Sequence, residues 1–232
     1  MRPRKAERLA YGDDSSQFVE IWDAPGRASG TAVFFHGGFW RESYDLGLMD
    51  GLCADAARRG WLAVNVEYRR GRGWPAMAAD VCDAWAFVVD TAAQPVVTLG
   101  HSAGGHLALW AAAACKPKPS LVVSLAGVAD LTTARRLDLG GGAVAELFGD
   151  APSPPADPTQ LVPLGVTVVL VAPQADLQVP REVSASFAAA ARDAGDAVSL
   201  VEPPGDHFSV IDPTSRAWAD TWEHVERHAA GS

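Results

Sequence analysis

Three residue types that acyl transfer requires occur in the order Ser102, Asp176, His207. Ser102 lies in Leu99-Gly100-His101-Ser102-Ala103-Gly104-Gly105-His106, a G-x-S-x-G run. At this spacing a serine occupies a sharp strand-to-helix turn, and the flanking glycines leave no Cβ to collide with either element. Its hydroxyl then stands at a helix N-terminus, where backbone N–H groups and the helix dipole favour developing negative charge. A serine is a weak nucleophile until a base takes its proton, so a histidine and an orienting acid are expected further along, acid first. Asp176 ends Ala172-Pro173-Gln174-Ala175-Asp176, just past an apolar strand, and His207 lies in Pro203-Pro204-Gly205-Asp206-His207-Phe208, just past the last one. Both therefore reach the carboxyl edge, where open α/β sheets place their sites. Asp130 also follows a strand and is the alternative acid; its other reading is a helix cap. Asp206 adjoins His207, but neighbours on an extended loop point apart.

An acyl-transfer site also needs donors for the oxyanion. His36-Gly37-Gly38-Phe39-Trp40 follows a buried strand, and the backbone N–H groups of Gly38 and Phe39, with that of Ala103, are the expected hole. His36 reads as a turn-stabilising hydrogen bonder, and His101 and His106 as packing or orienting residues. Trp40, Trp74 and Phe148, with Phe39 and Leu147, line an apolar acyl or aromatic pocket or else belong to the core. His224 and His228 are spaced i, i+4 on the closing helix; lacking a carboxylate or cysteine partner set, they read as a solvated face, and no metal or cofactor is expected.

Positioning these groups requires alternating strands and helices. Gln17–Trp22 alternates with period two and suits an antiparallel edge strand; Thr31–Phe35, Trp61–Val66, Pro95–Leu99, Leu121–Ala126 and Val166–Val171 are apolar runs of buried strands, and Ala197–Glu202 is the last. Between them lie helical stretches: Leu46–Arg59 with Leu48, Leu52 and Ala56 inward, Ala76–Asp90 with Met77, Val81, Trp85 and Val88, and Ala103–Cys115. Arg181–Ala194 and Ser215–His228 follow, the latter with Trp218, Trp222 and Val225 inward. The rhythm implies an α/β fold with a mostly parallel central sheet covered on both faces. It breaks over residues 130–160, where glycines 140–142, a short helical piece and Pro152, Pro154 and Pro155 suggest a small cap within one domain spanning 1–232.

A net charge of −9 and the absence of a basic run beyond Arg2–Lys5 argue against nucleic-acid or anionic-membrane partners. Neither an apolar leader nor a spanning run is visible. Cys53, Cys82 and Cys115 form no C-x-x-C pair and read as buried reduced thiols, which fits a cytoplasmic protein acting on a small molecule; oligomeric state is not legible.

With these residues in view, the chain resembles the α/β-hydrolases, and within them the kynurenine formamidase (arylformamidase) and small carboxylesterase branch, whose oxyanion turn reads H-G-G-x-W. Supporting matches are Tyr11-Gly12-Asp13, Glu67-Tyr68-Arg69, Trp74-Pro75-Ala76 with Asp80, and the Ser102 elbow through Leu107. One departure is Ala172-Pro173, where the family often has His-Gly. The resemblance implies a cofactor-free serine hydrolase acting on a small ester or aryl formamide. A peptidase-like use of the same residues and a non-catalytic binding protein on the same fold are the alternatives.

Overall fold

The computed structural model describes residues 7–149 and 156–231. The basic run Arg2–Lys5 and the three cap prolines lie outside them. In chain order the elements are β1 (Glu7–Ala10), β2 (Phe18–Trp22), β3 (Thr31–Phe35), α1 (Asp50–Arg58), β4 (Leu62–Val66), α2 (Trp74–Val89), β5 (Val96–His101) and α3 (Ala103–Ala114). Then come β6 (Leu121–Leu125), α4 (Leu131–Arg136), α5 (Ala143–Phe148), β7 (Thr167–Val171), α6 (Arg181–Asp193), β8 (Val198–Val201) and α7 (Arg216–Ala230).

Among the described residues the eight strands form one sheet in the order β1-β2-β4-β3-β5-β6-β7-β8. β1 pairs antiparallel with β2, and β2 antiparallel with β4; the other neighbours are parallel. Successive residues of the central strands go to opposite faces, as the pleat requires. Val33, Phe35, Val64 and Val66 join α2, α3 and α6 in one cluster. Ala32, Phe34, Val97 and Leu99 join α1 and α7 in the other, where Trp218, Trp222 and Val225 are buried as their spacing predicts.

Three expectations are corrected. The Gln17–Trp22 strand, expected at the sheet edge, is flanked on both sides as β2, by β4 and by β1, whose four residues carry no apolar alternation to announce a strand. The helix predicted from Leu46 opens as a 3-10 turn over Leu46–Met49; its tighter pitch buries Leu46 and Met49 and leaves Leu48 half-buried. Cys82 and Cys115, 33 residues apart, are joined in a disulfide, and only Cys53 among the cysteines is free. α2 and the end of α3 bring these two together, a proximity that no sequence spacing announces. With reduced thiols goes the composition argument for a cytoplasmic location, since disulfides persist in oxidising surroundings. No helix among the described residues is long and apolar enough to cross a membrane.

The register brings the candidate site to one edge. Phe35 pairs with Gly100 and His101 with Leu125, so the turn after β3 lies beside the turn after β5. Val171 pairs with Val201, and pairing continues past the strands: Ala172 N–H donates to Val201 O at 2.8 Å, Gln174 N–H to Pro203 O at 3.0 Å and Ala175 N–H to Gly205 O at 2.9 Å. The loops carrying Asp176 and His207 are thus laced together through Ala172–Ala175 and Val201–Gly205.

Candidate active site

Ser102 sits between β5 and α3 with φ 54° and ψ −118°, a conformation costly for a residue with a Cβ. What over-determines it is close packing: a Cβ on Gly100 would strike the carbonyl of Gly104, and one on Gly104 would strike those of Phe35 and His36. Backbone bonds then fix the serine. Its N–H donates to Leu125 O at 2.9 Å, and its carbonyl accepts from Gly105 N at 2.9 Å and Val128 N at 3.0 Å. Ala103 opens α3, where a backbone N–H has no intrahelical partner.

His207 and Asp176, both buried, meet directly: Nδ1 of the imidazole lies 2.8 Å from Asp176 Oδ2. A carboxylate oxygen only accepts, so Nδ1 carries the proton and Nε2 its lone pair. Oδ1 of Asp176 accepts from the N–H groups of Gln178 and Val179 at 2.8 and 2.9 Å, which fixes the carboxylate plane. The alternative acid is elsewhere: Asp130 caps α4, accepting Thr133 N–H at 2.9 Å and the Thr133 hydroxyl at 2.7 Å. Asp206 folds onto its own turn, taking Ser209 N–H and the Ser209 hydroxyl at 2.9 and 2.8 Å. Among the described residues no hydrogen bond joins Ser102 Oγ to His207; such bonds are commonly loose before substrate binds.

The predicted oxyanion turn is strained. Gly38, Phe39 and Trp40 have φ of 111°, 55° and 58°, and a side chain on Gly38 would drive into the Tyr44 ring. A network that sequence reasoning did not assign holds it from behind. The Tyr68 hydroxyl donates to His36 O at 2.8 Å, and the two rings stack at 4.4 Å. His36 Nδ1 faces Gly37 O at 2.7 Å and Nε2 faces Glu67 Oε1 at 3.1 Å. Arg70 also pairs with Glu67, whose other oxygen accepts Leu46 N–H at 3.1 Å. Burial pushes the Glu67 carboxyl up, but the hydrogen bond from His36 and the charges of His36 and Arg70 outweigh it and hold it below the usual range. The only sequence signal was Glu67-Tyr68 directly after an apolar strand.

Trp40, Trp74 and Phe148 come together around His106, one turn past Ser102. Ring centroids of Trp40, Trp74 and Phe148 lie 5.5, 5.1 and 6.1 Å from that of His106. Trp40 and Trp74 are buried in the core cluster and Phe148 is half-buried against it; of the three, Trp40 also lines a cavity. His106 Nε2 donates to Ala156 O at 2.8 Å, and burial pushes its imidazole down to about 4. A cavity of about 290 Å³ opens between the turn residues Phe39 and Trp40, the Gly71–Gly73 loop and Leu147 of α5. Arg41 closes one side, pairing with Glu146 at 2.7 Å and donating to Gly140 O at 2.8 Å. His224 and His228 are half-buried on α7 rather than on a solvated face, and among the described residues no three His, Cys, Asp or Glu side chains are grouped to hold a metal ion.

A strained serine between strand and helix, a strained glycine turn after the adjacent strand and a histidine–aspartate pair on laced loops define a class of fold. Residues 32–148 match the family described as alpha/beta hydrolase fold, and the chain belongs to that family. The match contains the turn and the elbow; Asp176 and His207 lie beyond it. Over 115 residues, 45% of the chain, it is 30% identical to esterase LipC of Mycobacterium tuberculosis, and the matched stretch spans 28% of that relative's length. Solved structures share the fold at lower identity. A truncated carbohydrate esterase from gut microbiota superposes with a TM-score of 0.86 at 17% identity, covering 99% of this chain and 98% of that one. Esterase B of Lactobacillus rhamnosis gives 0.85 at 17%, covering 99% and 87%, and a butyrate-bound thermophilic esterase of Thermogutta terrifontis 0.79 at 23%, covering 98% and 94%.

Proposed function

We propose that this chain is a serine carboxylesterase working through Ser102, His207 and Asp176 on small-molecule esters. The observation that carries the reading is the 2.8 Å contact between His207 Nδ1 and Asp176 Oδ2, made at the sheet edge where Ser102 turns into α3. That contact sets the tautomer a general base needs. His207 Nε2 takes the Ser102 hydroxyl proton as Oγ bonds the acyl carbon, and the carbonyl π pair moves onto oxygen. The N–H groups of Gly38, Phe39 and Ala103 receive that oxyanion, each donor worth about 3 kcal/mol in the transition state. Collapse breaks the bond to the leaving group, which takes the proton from His207; water then repeats the sequence and frees the acid. No cofactor enters this scheme.

The esterase descriptions of LipC and of the superposed structures support this choice. A second reading, an arylformamidase, rests on His36-Gly37-Gly38-Phe39-Trp40, the turn that resembles that branch. In both, Trp40, Trp74 and Phe148 bound the substrate site under the cap formed by α4 and α5, and the cavity beside Phe39 and Leu147 takes the larger substituent. Wild type and Ser102→Ala, assayed on p-nitrophenyl acetate and on N-formylkynurenine, test the proposal. Hydrolysis by wild type alone supports the serine mechanism, and the ratio of the two substrates separates esterase from formamidase. Equal activity in the alanine variant would remove Ser102 from the mechanism.

A further inference from the structure

His101, the last residue of β5, is bonded covalently to Ser102 and reaches two other parts of the site. Its buried ring places Nε2 3.0 Å from the carbonyl oxygen of His207. A carbonyl only accepts, so Nε2 carries the proton and Nδ1 is left with a lone pair. The ring lies against that of His207, centroids 4.7 Å apart and planes at 49°. On its other side is the oxyanion turn: a Cβ placed on Gly37 would come within 2.9 Å of His101 Nδ1 and 3.0 Å of Ser102 Cβ. One imidazole is thus wedged between the nucleophile's strand, the donors' turn and the base's loop.

Packing alone does not account for an imidazole here. Nδ1 is buried with no hydrogen-bond partner among the described residues, a state that an apolar ring of similar size would avoid. What such a ring would lack is the Nε2 donor. The loop carrying His207 is laced to the acid's loop through Pro203 and Gly205, which fixes it from the Asp176 side; the bond from His101 fixes it from the Ser102 side.

We propose that His101 is a positioning residue, whose Nε2–H tethers the backbone of His207 to the nucleophile strand and so holds the imidazole at once on Asp176 and facing Ser102. The role assigned to His207 rests on the esterase reading; the tether itself does not. Burial pushes the His101 imidazole down to about 3, with the neighbouring His207 lowering it further. It therefore stays neutral and adds no positive charge beside the imidazolium that forms on His207. A misplacement of about 1 Å between reacting groups costs on the order of 10²-fold in rate, the scale on which losing such a tether is felt.

Two variants of the full chain test this: His101→Phe keeps a ring and removes the donor, and His101→Gln keeps a donor and removes the ring. The first readout is the strongly deshielded imidazole proton resonance of His207 Nδ1–H on Asp176, assigned by its disappearance in Asp176→Asn. It is expected in wild type and His101→Gln, and displaced or broadened in His101→Phe. The second is turnover of p-nitrophenyl acetate. His101→Phe should lose about 10- to 100-fold in kcat with KM changed less than about 3-fold, and His101→Gln should return to within about 5-fold of wild type. Melting temperatures should stay within about 4 °C throughout. A wild-type resonance and kcat in His101→Phe would overturn the tether, as would equal losses in both variants, which would assign the effect to ring packing. A wild-type protein that shows the resonance but cleaves neither ester nor formamide would overturn the esterase reading, and the resonances of the variants would still decide the tether.

Discussion

His207 Nδ1 and Asp176 Oδ2 are 2.8 Å apart across 31 residues of sequence, and both side chains are buried. The partner oxygen of Asp176 is held by the N–H groups of Gln178 and Val179, so neither member of the pair is free to turn. Asp130, the other acid the sequence offered, spends its carboxylate on Thr133.

Exchanging these two acids for amides separates their roles. Asp176→Asn is expected to lower kcat by on the order of 10³- to 10⁴-fold, because an amide favours the wrong imidazole tautomer. Asp130→Asn should leave kcat within about 3-fold and cost at most about 1 kcal/mol, since asparagine is itself a good cap. Steady-state kinetics and urea titrations of the two variants decide the matter; a large kcat loss in Asp130→Asn alone would reverse the assignment.

Behind the proposed oxyanion turn, Tyr68→Phe deletes the hydroxyl that donates to His36 O. The lost hydrogen bond should cost about 1–3 kcal/mol in stability because it leaves a buried carbonyl unpaired. The strained Gly38–Trp40 turn then relaxes, and kcat should fall about 10-fold with KM little changed, about half of the free energy that one oxyanion donor supplies. A KM effect with kcat intact would show that Tyr68 serves substrate binding instead.

Acid should destabilise the fold through two buried histidines. Burial lowers His101 from 6.5 to about 3 and His106 from 6.5 to about 4. Below 6.5 the unfolded chain takes up protons that the folded chain refuses, so their stability contribution is fully present above that pH and is lost on acidification. The slope is about 1.4 kcal/mol per pH unit for each histidine down to about pH 4, below which His106 itself protonates in the fold. Urea midpoints at several pH values should show it, and His106→Gln should remove roughly half of this histidine-dependent slope. An unchanged slope in that variant would rule His106 out as a contributor.

The Cys82–Cys115 link closes a loop of sequence separation 33. Loop-closure entropy at this length corresponds to about 3–4 kcal/mol, so a Cys82→Ala/Cys115→Ala variant should be less stable by up to that amount. Thiol titration of the denatured, unreduced protein should find one reactive cysteine, Cys53; three would mean that the bridge does not form.

Much of this molecule was legible without coordinates because local constraints carry it. A serine flanked by glycines at G-x-S-x-G tolerates little other than a positive-φ elbow, and Gly100 and Gly104 are required by backbone carbonyls that a Cβ would strike. Apolar runs such as Thr31–Phe35 announce strands buried on both faces, and chain order after the serine pointed to Asp176 and His207. Other features had no local signature. β1 is exposed and held by its neighbour, and the 3-10 turn at Leu46–Met49 rotated a helix face that a regular period had placed otherwise. The Cys82–Cys115 bridge, the Tyr68–His36–Glu67 brace and the reach of His101 to His207 O join elements far apart in sequence. Periodicity and backbone dihedral demands are written residue by residue, so the sequence alone determined the layers, the elbow and the candidates for the reacting groups. Which distant side chains meet depends on how helices pack on a twisted sheet, and only the tertiary structure decided that.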